Sequence, residues 1–240
     1  MLRMIQIDKS FNIGTINEKQ IFQGLNLTIN DGDFLTVIGG NGAGKSTMLN
    51  LIAGVHKADG GRIILDGEDL TYKNETQRAR YIGRVFQDPM MGTAPTMMIE
   101  ENLAMAYRRT KRRTLAWGIS QKERELYRDS LSQLGLGLED RMKTKVGLLS
   151  GGQRQAVTLL MATLQKPKLL LLDEHTAALD PATSAKVLQL SDQIIRDHQL
   201  TALMVTHNMQ DAITYGNRLV MMDKGKIILD ISGEEKKKLT

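Results

Sequence analysis

The chain has 240 residues, of which 41% are hydrophobic and 25% charged, and its formal net charge is +5. This length is enough for a large domain with a substantial buried core. The absence of cysteine excludes disulfides and cysteine-based metal sites. No segment approaches the roughly 18 apolar residues of a membrane-spanning helix, so a transport role would require separate membrane subunits. Met1–Ile7 alternates like a strand rather than a signal peptide, and we expect a cytoplasmic protein.

The N-terminal part of the chain has the pattern of β-structure. Met1–Ile7 and Gln20–Ile29 alternate between apolar and polar residues, and a turn at Asp31-Gly32 follows. A further strand is predicted at Arg62–Leu65, before the Asp66-Gly67 turn. These segments predict an N-terminal β portion.

A phosphate-binding loop is predicted at Gly39–Ser46, which fits the pattern G-x-x-x-x-G-K-[ST]. It follows a buried strand, Asp33–Ile38, and opens a helix that ends at Ala53-Gly54. Glycines there let several backbone N–H groups approach one anion. Lys45 adds positive charge for the outer phosphates, the Ser46 hydroxyl is a candidate Mg²⁺ ligand, and Thr47 can contact the phosphates.

A helical insert is predicted between Gln87 and Pro167. Helix breakers follow Gln87, and Ser120–Glu123 forms a capping box that opens a helix. Further along, Ser150 is a natural N-cap for a helix that begins with Gly151-Gly152-Gln153. The two glycines would allow an anion to approach this helix N-terminus closely, although Ser150 could also be a plain helix cap.

Four leucines followed by two carboxylates, Leu169–Glu174, predict a strand that is buried on both faces of a parallel sheet. Asp173 at its carboxyl end is a candidate Mg²⁺ ligand, and Glu174 can accept a proton from an attacking water. Another strand is predicted at Ala202–Thr206. Two late strands are joined by a hairpin at Asp223-Lys224-Gly225.

Together these motifs resemble the ATP-binding-cassette (ABC) ATPases, whose signature pentapeptide Leu149–Gln153 matches without a mismatch. The resemblance runs nearly end to end. It implies an α/β fold: a P-loop NTPase core with a mixed or parallel sheet flanked by helices, an N-terminal antiparallel β subdomain and an inserted α-helical subdomain. It also implies one nucleotide-binding domain, with a core of residues 1–87 and 167–240 and a helical subdomain of residues 88–166.

The resemblance implies roles for four further residues. Phe11 matches the aromatic residue that stacks on adenine, and Gln87 matches the glutamine that reaches Mg²⁺ and the attacking water. Asp180 looks like the aspartate at the dimer contact, and His207 matches the histidine that contacts the terminal phosphate. The alternatives are a core phenylalanine at Phe11 and a simple helix cap at Asp180, before Pro181.

The implied cofactors are ATP and Mg²⁺, with ATP held between the phosphate loop of one copy and the signature helix of another in a head-to-tail homodimer. The predicted catalytic residues are Glu174, His207, Gln87 and Lys45, and the predicted metal ligands are Ser46, Gln87 and Asp173. The predicted nucleotide contacts are Phe11, Gly39, Asn41, Gly42, Ala43, Gly44, Lys45, Ser46, Thr47, Gln87, Ser150, Gly151, Gly152, Gln153, Asp180 and His207.

The resemblance implies a peripheral subunit on the inner face of the plasma membrane that works with integral permease subunits. The compact insert and short tail are similar to importer subunits, in a bacterial subgroup often assigned to the uptake of amino acids, aromatic ones included. Such a system implies an extracytoplasmic solute-binding protein. The alternative is a soluble ABC-type ATPase acting on nucleic acid or the ribosome, but the insert is short and only one cassette is present, so no nucleic-acid partner is expected.

Three features depart from the common pattern or stay open. The residue after Glu174 is His175, where many relatives carry proline. The methionine-rich segment Met90–Met98 is a candidate docking surface for the membrane subunit, or else fills the core of the insert. The basic runs Arg108–Arg113 and Lys236–Lys238 are most simply solvated surface, with attraction to anionic lipid or nucleic acid as the alternative.

Overall fold

The structure is a computed structural model that describes residues 1–109 and 118–239. The first half contains strands β1 Leu2–Phe11, β2 Lys19–Ile29 and β3 Phe34–Gly39, helix α1 Lys45–Ala53, strands β4 Gly60–Leu65 and β5 Glu68–Asp69, helix α2 Glu75–Arg78, strand β6 Ile82–Val85, and helices α3 Ile99–Tyr107 and α4 Gln121–Ser132. The second half contains a 3-10 helix Val146–Leu148, helix α5 Gly151–Thr163, strand β7 Leu169–Asp173, helix α6 Pro181–Asp197, strand β8 Ala202–Val205, helix α7 Met209–Thr214, strands β9 Arg218–Asp223 and β10 Lys226–Ser232, and helix α8 Gly233–Lys237.

The chain divides into two compact units. Unit 1 contains residues 1–82, 168–174 and 199–240, and unit 2 contains residues 83–167 and 175–198. The resemblance assigns residues 167–240, which include helix α6, to the ATP-binding core; in the structure α6 belongs to unit 2. The reason is packing: Leu190 and Ile194 of α6 lie against the apolar core of α3, α4 and α5.

Unit 1 contains an antiparallel sheet in the order β2-β1-β4-β5. Strand β1 pairs along its length with β2 and β4, with Leu2 opposite Ile29 and Leu65. The alternating apolar residues of these strands face one side, where Leu2, Met4, Ile7 and Phe22 are fully buried. The expected N-terminal antiparallel portion is therefore present.

The second sheet of unit 1 has the order β10-β9-β3-β8-β7, and β6 begins in this unit at Ile82. Strand β3 is parallel to both β8 and β9, and β7 is parallel to β8. The leucines of β7 are all fully buried, as expected for a strand in the middle of a parallel sheet. The expected hairpin joins β9 to β10, with positive φ at Lys224 and Gly225.

In the part of unit 2 that the structure describes, the regular elements are helices α3 to α6, the 3-10 helix and residues 83–85 of β6. Its core contains Leu103 of α3, Tyr127 and Leu131 of α4, and Ala156 and Val157 of α5. The Ser120–Glu123 capping box predicted for α4 is formed, because the Ser120 side chain accepts from the Glu123 amide and the Glu123 carboxylate accepts from the Ser120 amide. Within residues 1–109 and 118–239, no helix combines the length and apolar character needed to cross a membrane.

In the basic run Lys236–Lys238, Lys237 and Lys238 are exposed as expected, whereas Lys236 is not. Lys236 is only 3% exposed, and its ammonium donates to the carbonyls of Tyr215 and Gly216. Burial lowers the pKa of Lys236 to about 8. In the run Arg108–Arg113, residues 110–113 lie outside the described residues.

A buried arginine, Arg78 of α2, ties together the segments around the end of α1. Its guanidinium donates to the carbonyls of Leu51 and Ile52, in the last turn of α1, at 2.6 and 2.9 Å. It also donates to the carbonyls of Thr71 and Lys73 at 3.2 and 2.8 Å. Burial lowers the pKa of Arg78 to about 10, an effect that the charge of Asp69 opposes. The guanidinium thus adds donors at the C-terminus of α1, where a helix supplies few amide partners for its carbonyls; the Leu51 carbonyl also accepts from the Gly54 amide at 3.3 Å.

We expect Arg78→Met to lower the free energy of unfolding by about 3 kcal/mol, because buried carbonyls lose a charged donor while the side-chain volume is kept. Urea denaturation measures this change. Arg80→Met is the matched control, since Arg80 lies two residues away and is exposed, and it should change the free energy by less than about 0.5 kcal/mol. Equal stability of the two variants would contradict the role given to Arg78.

Candidate functional site

The predicted phosphate loop connects β3 to α1 and is built as its sequence requires. Gly44 has a φ of 104° and forms the N-cap of α1 in a left-handed conformation. A Cβ there would lie 2.7 Å from a ring carbon of Phe22, so a larger residue would be both strained and crowded. At Gly39 a Cβ would lie 2.3 Å from the carbonyl oxygen of Met222. These two glycines therefore fix where the loop begins and where its helix starts.

The rest of the loop is open to a ligand. A Cβ built at Gly40 or Gly42 would meet no atom within 4 Å, so these positions border free space. Lys45 is only 7% exposed, and its ammonium donates to the carbonyls of Gly39 and Gly40 at 2.7 and 3.2 Å. Because an ammonium has three donors, one remains for an anion. With the N-terminus of α1 beside it, the loop fits a phosphate group.

Two carboxylates and a histidine lie at the ends of the neighbouring parallel strands. Asp173 ends β7 in register with Val205 of β8, and the Glu174 amide donates to the Val205 carbonyl at 3.0 Å. His207 comes two residues after Val205. Its Nδ1 lies 3.7 Å from Oε2 of Glu174, and the imidazole is 66% exposed. Val205 also pairs with Val37 of β3, two residues before Gly39, so the loop and these side chains share one edge of the sheet.

The backbone of Glu174 is strained. Its φ is 44°, a left-handed conformation that costs a residue with a side chain roughly 1–2 kcal/mol. Strain of this kind persists only where the surrounding structure holds it, and it is common at functional sites. The candidate base is therefore held in a specific backbone conformation.

Phe11 lies at the end of β1 and is partly exposed, not part of the buried core. Its ring makes an edge contact with His56, with centroids 5.1 Å apart and an interplanar angle of 78°. The Lys9 ammonium lies 5.2 Å from the same ring. The core alternative for Phe11 therefore does not hold, and part of the ring is available for stacking.

The signature segment lies in unit 2 and begins α5. The Ser150 side chain accepts from the Gln153 amide, and the Gln153 side chain accepts from the Ser150 amide, so the pair forms a capping box. Gly152 is packed against α6: a Cβ there would lie 2.2 Å from the Thr183 methyl carbon. At Gly151 the nearest atom would be a Leu179 methyl carbon at 3.1 Å.

The other predicted residues of unit 2 lie in loops. Gln87 follows β6 and is exposed. Asp180 is the N-cap of α6, where it accepts from the Thr183 amide at 3.0 Å, and hydrogen bonds to the Thr183 hydroxyl and amide lower the pKa of Asp180. The predicted cap is thus formed, with Pro181 in the first turn of α6.

Several residues near the predicted site were missed by the sequence analysis. The Gly225 amide of the β9–β10 hairpin donates to the Ala43 carbonyl in the phosphate loop at 3.0 Å. Phe22 and Met222 crowd Gly44 and Gly39, as described above. Burial raises the pKa of Asp211, on the helix that follows His207, and the charge of His207 opposes this effect. The sequence motifs did not indicate these contacts, because the residues that make them lie far from the motifs along the chain.

Residues 22–177 match the family described as ABC transporter. The chain belongs to the ABC transporter family. A tyrosine transport ATP-binding protein of Clostridioides difficile (strain R20291) is 45% identical over 240 residues, which cover 100% of this chain and 95% of that protein. A spermidine/putrescine import ATP-binding protein, PotA of Haemophilus influenzae (Rd), is 37% identical over 236 residues; the alignment covers 98% of this chain but only 59% of PotA.

Solved ABC cassettes have the same fold. The dimeric cassette MJ0796, in a post-hydrolysis state bound to ADP and Pi, has a TM-score of 0.81 and 27% identity, with 97% of this chain and 98% of that chain covered. The structure of cbiO1 from Clostridium perfringens, part of a cbiONQ ABC transporter complex, has a TM-score of 0.80 and 25% identity, with 98% and 89% covered. The predicted α/β P-loop NTPase fold is confirmed. As an ABC ATPase, the chain binds ATP with Mg²⁺ and hydrolyses ATP.

Gly44 provides a test of the ABC phosphate loop. Gly44→Ala should lower the free energy of unfolding by about 2 kcal/mol or more, because its Cβ would crowd Phe22 in a left-handed backbone, and ATP binding should weaken. Gly40→Ala is the matched control, since its Cβ would meet open space, and its stability should stay within about 0.5 kcal/mol of the wild type. Thermal unfolding with and without ATP measures both effects; unchanged stability in Gly44→Ala would contradict the packing argument.

Proposed function

We propose that this chain powers solute import as the ATP-hydrolysing subunit of an ABC transporter, through ATP-driven closure of a head-to-tail homodimer. The observation that supports it most is the convergence of Lys45, Asp173, Glu174 and His207 at the carboxyl ends of adjacent parallel strands. The dimeric state of a solved cassette of the same fold is a second support. In the proposed dimer, ATP lies between the phosphate loop of one copy and the Ser150 helix N-terminus of the other.

The proposed roles follow from the chemistry of each side chain. Lys45 stabilises negative charge on the outer phosphates, and Phe11 stacks on adenine. Glu174 accepts the proton of the attacking water, and His207, with its imidazole close to the Glu174 carboxylate, contacts the terminal phosphate. When bound, Mg²⁺ adds charge stabilisation at the phosphoryl oxygens. Ser46, Asp173 and Gln87 would hold it.

The remaining proposed nucleotide contacts come from the phosphate loop of one copy and from the signature segment and Asp180 of the other. Backbone N–H groups of the phosphate loop surround the phosphates, and the Thr47 hydroxyl adds a further donor. In the second copy, Ser150 and the helix N-terminus approach the same nucleotide, and Asp180 lies at the dimer contact. The contacts so proposed are Gly39, Asn41, Gly42, Ala43, Gly44, Ser46, Thr47, Ser150, Gly151, Gly152, Gln153 and Asp180.

The proposed cargo is an amino acid, with tyrosine the first to test. The relative whose length the chain matches almost completely is a tyrosine transport protein, whereas the chain spans little more than half of the polyamine importer subunits. The proposed partners are integral permease subunits and an extracytoplasmic solute-binding protein, with this chain peripheral on the cytoplasmic face of the membrane. Action on nucleic acid is not favoured, since the similar proteins named above are transport subunits.

The principal test is Glu174→Gln, which removes the proton acceptor and keeps the side-chain shape. We expect ATP binding to persist while hydrolysis falls by about 100-fold or more, and the ATP-bound dimer to accumulate because its ATP is not turned over. ATPase assays, nucleotide-binding measurements and size-exclusion chromatography with ATP and Mg²⁺ give the three readouts.

Lys45→Ala is the contrasting variant. It should weaken ATP binding itself, so that no ATP-bound dimer forms. Wild-type turnover in Glu174→Gln would refute the assigned base, and an unchanged affinity for ATP in Lys45→Ala would refute the role of the loop. ATPase activity that rises with nucleic acid, but not with reconstituted membrane subunits, would refute the transport assignment.

We further propose that the segment Met90–Met98 receives the membrane subunit. Met90 and Met91 are 40% and 69% exposed, which supports a docking surface, whereas Met97 and Met98 are partly buried. The buried Asn102 side chain holds the segment through hydrogen bonds to Ala94 and to the Met98 carbonyl. The segment therefore offers flexible, polarisable side chains on a fixed backbone.

The docking proposal predicts that Met90→Gln combined with Met91→Gln leaves the basal ATPase of the isolated subunit unchanged and lowers transport by the assembled system by about tenfold, since buried apolar contact area is lost at the interface. The matched control is Met105→Gln, because Met105 is 47% exposed on α3. The same assays on Met97→Gln and Met98→Gln show whether the buried part of the segment contributes. Unimpaired transport and ATPase in the Met90 and Met91 variant would contradict the proposal.

A further inference from the structure

His175, the residue after the candidate base, is almost completely buried. It is 2% exposed, and its Nε2 lies 3.0 Å from the hydroxyl oxygen of Ser191, which is itself 1% exposed. Ser191 lies on α6, the helix into which the segment after β7 leads. The hydrogen bond therefore connects the segment between β7 and α6 to α6 itself.

The direction of this hydrogen bond can be deduced from the partners of Ser191. The Ser191 hydroxyl lies 2.8 Å from the Val187 carbonyl oxygen. Because a carbonyl oxygen can only accept, the hydroxyl donates its single proton to Val187. The oxygen must then accept from His175, so the imidazole carries its proton on Nε2. A neutral ring agrees with its burial, which lowers the pKa of His175 to about 4.

The buried His175 contact comes directly after a residue with a strained backbone, Glu174. Its amide is held by the Val205 carbonyl at 3.0 Å, and its φ of 44° lies in the left-handed region. A proline at position 175 would disfavour this conformation and push Glu174 toward extended backbone. Histidine leaves the φ of Glu174 free, and its side chain supplies an anchor immediately after the turn.

We propose that His175 is a positioning residue for ATP hydrolysis: its hydrogen bond to Ser191 fixes the chain directly after Glu174 and thereby orients the Glu174 carboxylate toward the water it deprotonates. This inference rests on the proposed role of Glu174 as the base. His175 itself touches neither nucleotide nor water in this scheme.

The test uses the full chain and three substitutions. His175→Phe keeps a planar ring but cannot form the hydrogen bond, and His175→Gln restores an N–H donor. Ser191→Ala removes the hydroxyl that accepts this hydrogen bond. The matched control is Ser130→Ala, because Ser130 makes the same backbone hydrogen bond to the carbonyl four residues earlier, at 2.8 Å, on α4. For each variant, kcat, the Kd for ATP and the thermal unfolding midpoint are measured.

We expect kcat to fall by about 10-fold in His175→Phe and in Ser191→Ala, since a small misplacement of a catalytic group is costly, with the Kd for ATP within about twofold of the wild type. His175→Gln should recover most of kcat, and Ser130→Ala should keep it. A double variant that combines His175→Phe with Ser191→Ala should be no slower than His175→Phe alone, because both substitutions remove the same interaction.

Two results would overturn the proposal. Full kcat in Ser191→Ala would show that the hydrogen bond does not orient the base, and this variant remains informative if His175→Phe fails to fold. A loss of ATP affinity and unfolding midpoint in proportion to the loss of kcat would show a structural role only. Failure of the base assignment is distinguishable, because Glu174→Gln would then keep its turnover; if Glu174→Gln is inactive and Ser191→Ala fully active, only the positioning role fails.

Discussion

The parallel pairing of β3, β8 and β7 is the constraint on which the site depends, because it brings three chain segments to one edge of the sheet. A run of four leucines does not specify the register of β7, since a slip by one residue would exchange leucine for leucine. The ends of the strand must therefore set it. At one end the Leu170 amide donates to the Thr201 carbonyl at 2.9 Å, and at the other the Glu174 amide donates to that of Val205.

The same edge is supported from the side by the β9–β10 hairpin. Its Gly225 amide holds the Ala43 carbonyl, and the Met222 carbonyl lies where any side chain at Gly39 would need to be. A loop that binds an anion through several backbone N–H groups binds it more tightly if its conformation is fixed beforehand, because ordering the loop on binding would cost free energy. The β9–β10 hairpin and Phe22 lie outside the motif and fix the conformation of the phosphate loop by their contacts with it.

The sequence predicted features whose causes are local. The caps at Ser120, Ser150 and Asp180 and the Asp223–Gly225 hairpin each depend on neighbours within a few residues, and each is formed. Contacts that join distant segments were not predicted: the Arg78 guanidinium on the end of α1, the Gly225 amide on Ala43, and the buried Lys236 ammonium on the carbonyls of Tyr215 and Gly216. No pattern in the sequence pairs such residues, because their partners are backbone carbonyls that every residue carries.

The two signature glycines, Gly151 and Gly152, differ in how strongly packing alone requires a glycine. Gly152 has a reason to be glycine that involves no ligand, since a Cβ there would overlap the Thr183 methyl group at 2.2 Å. Gly151 meets only a flexible Leu179 methyl group at 3.1 Å, which could move aside. Packing of α5 against α6 thus explains the second glycine better than the first. Ser150 and Gly151 therefore support anion binding at this helix N-terminus more strongly than Gly152 does.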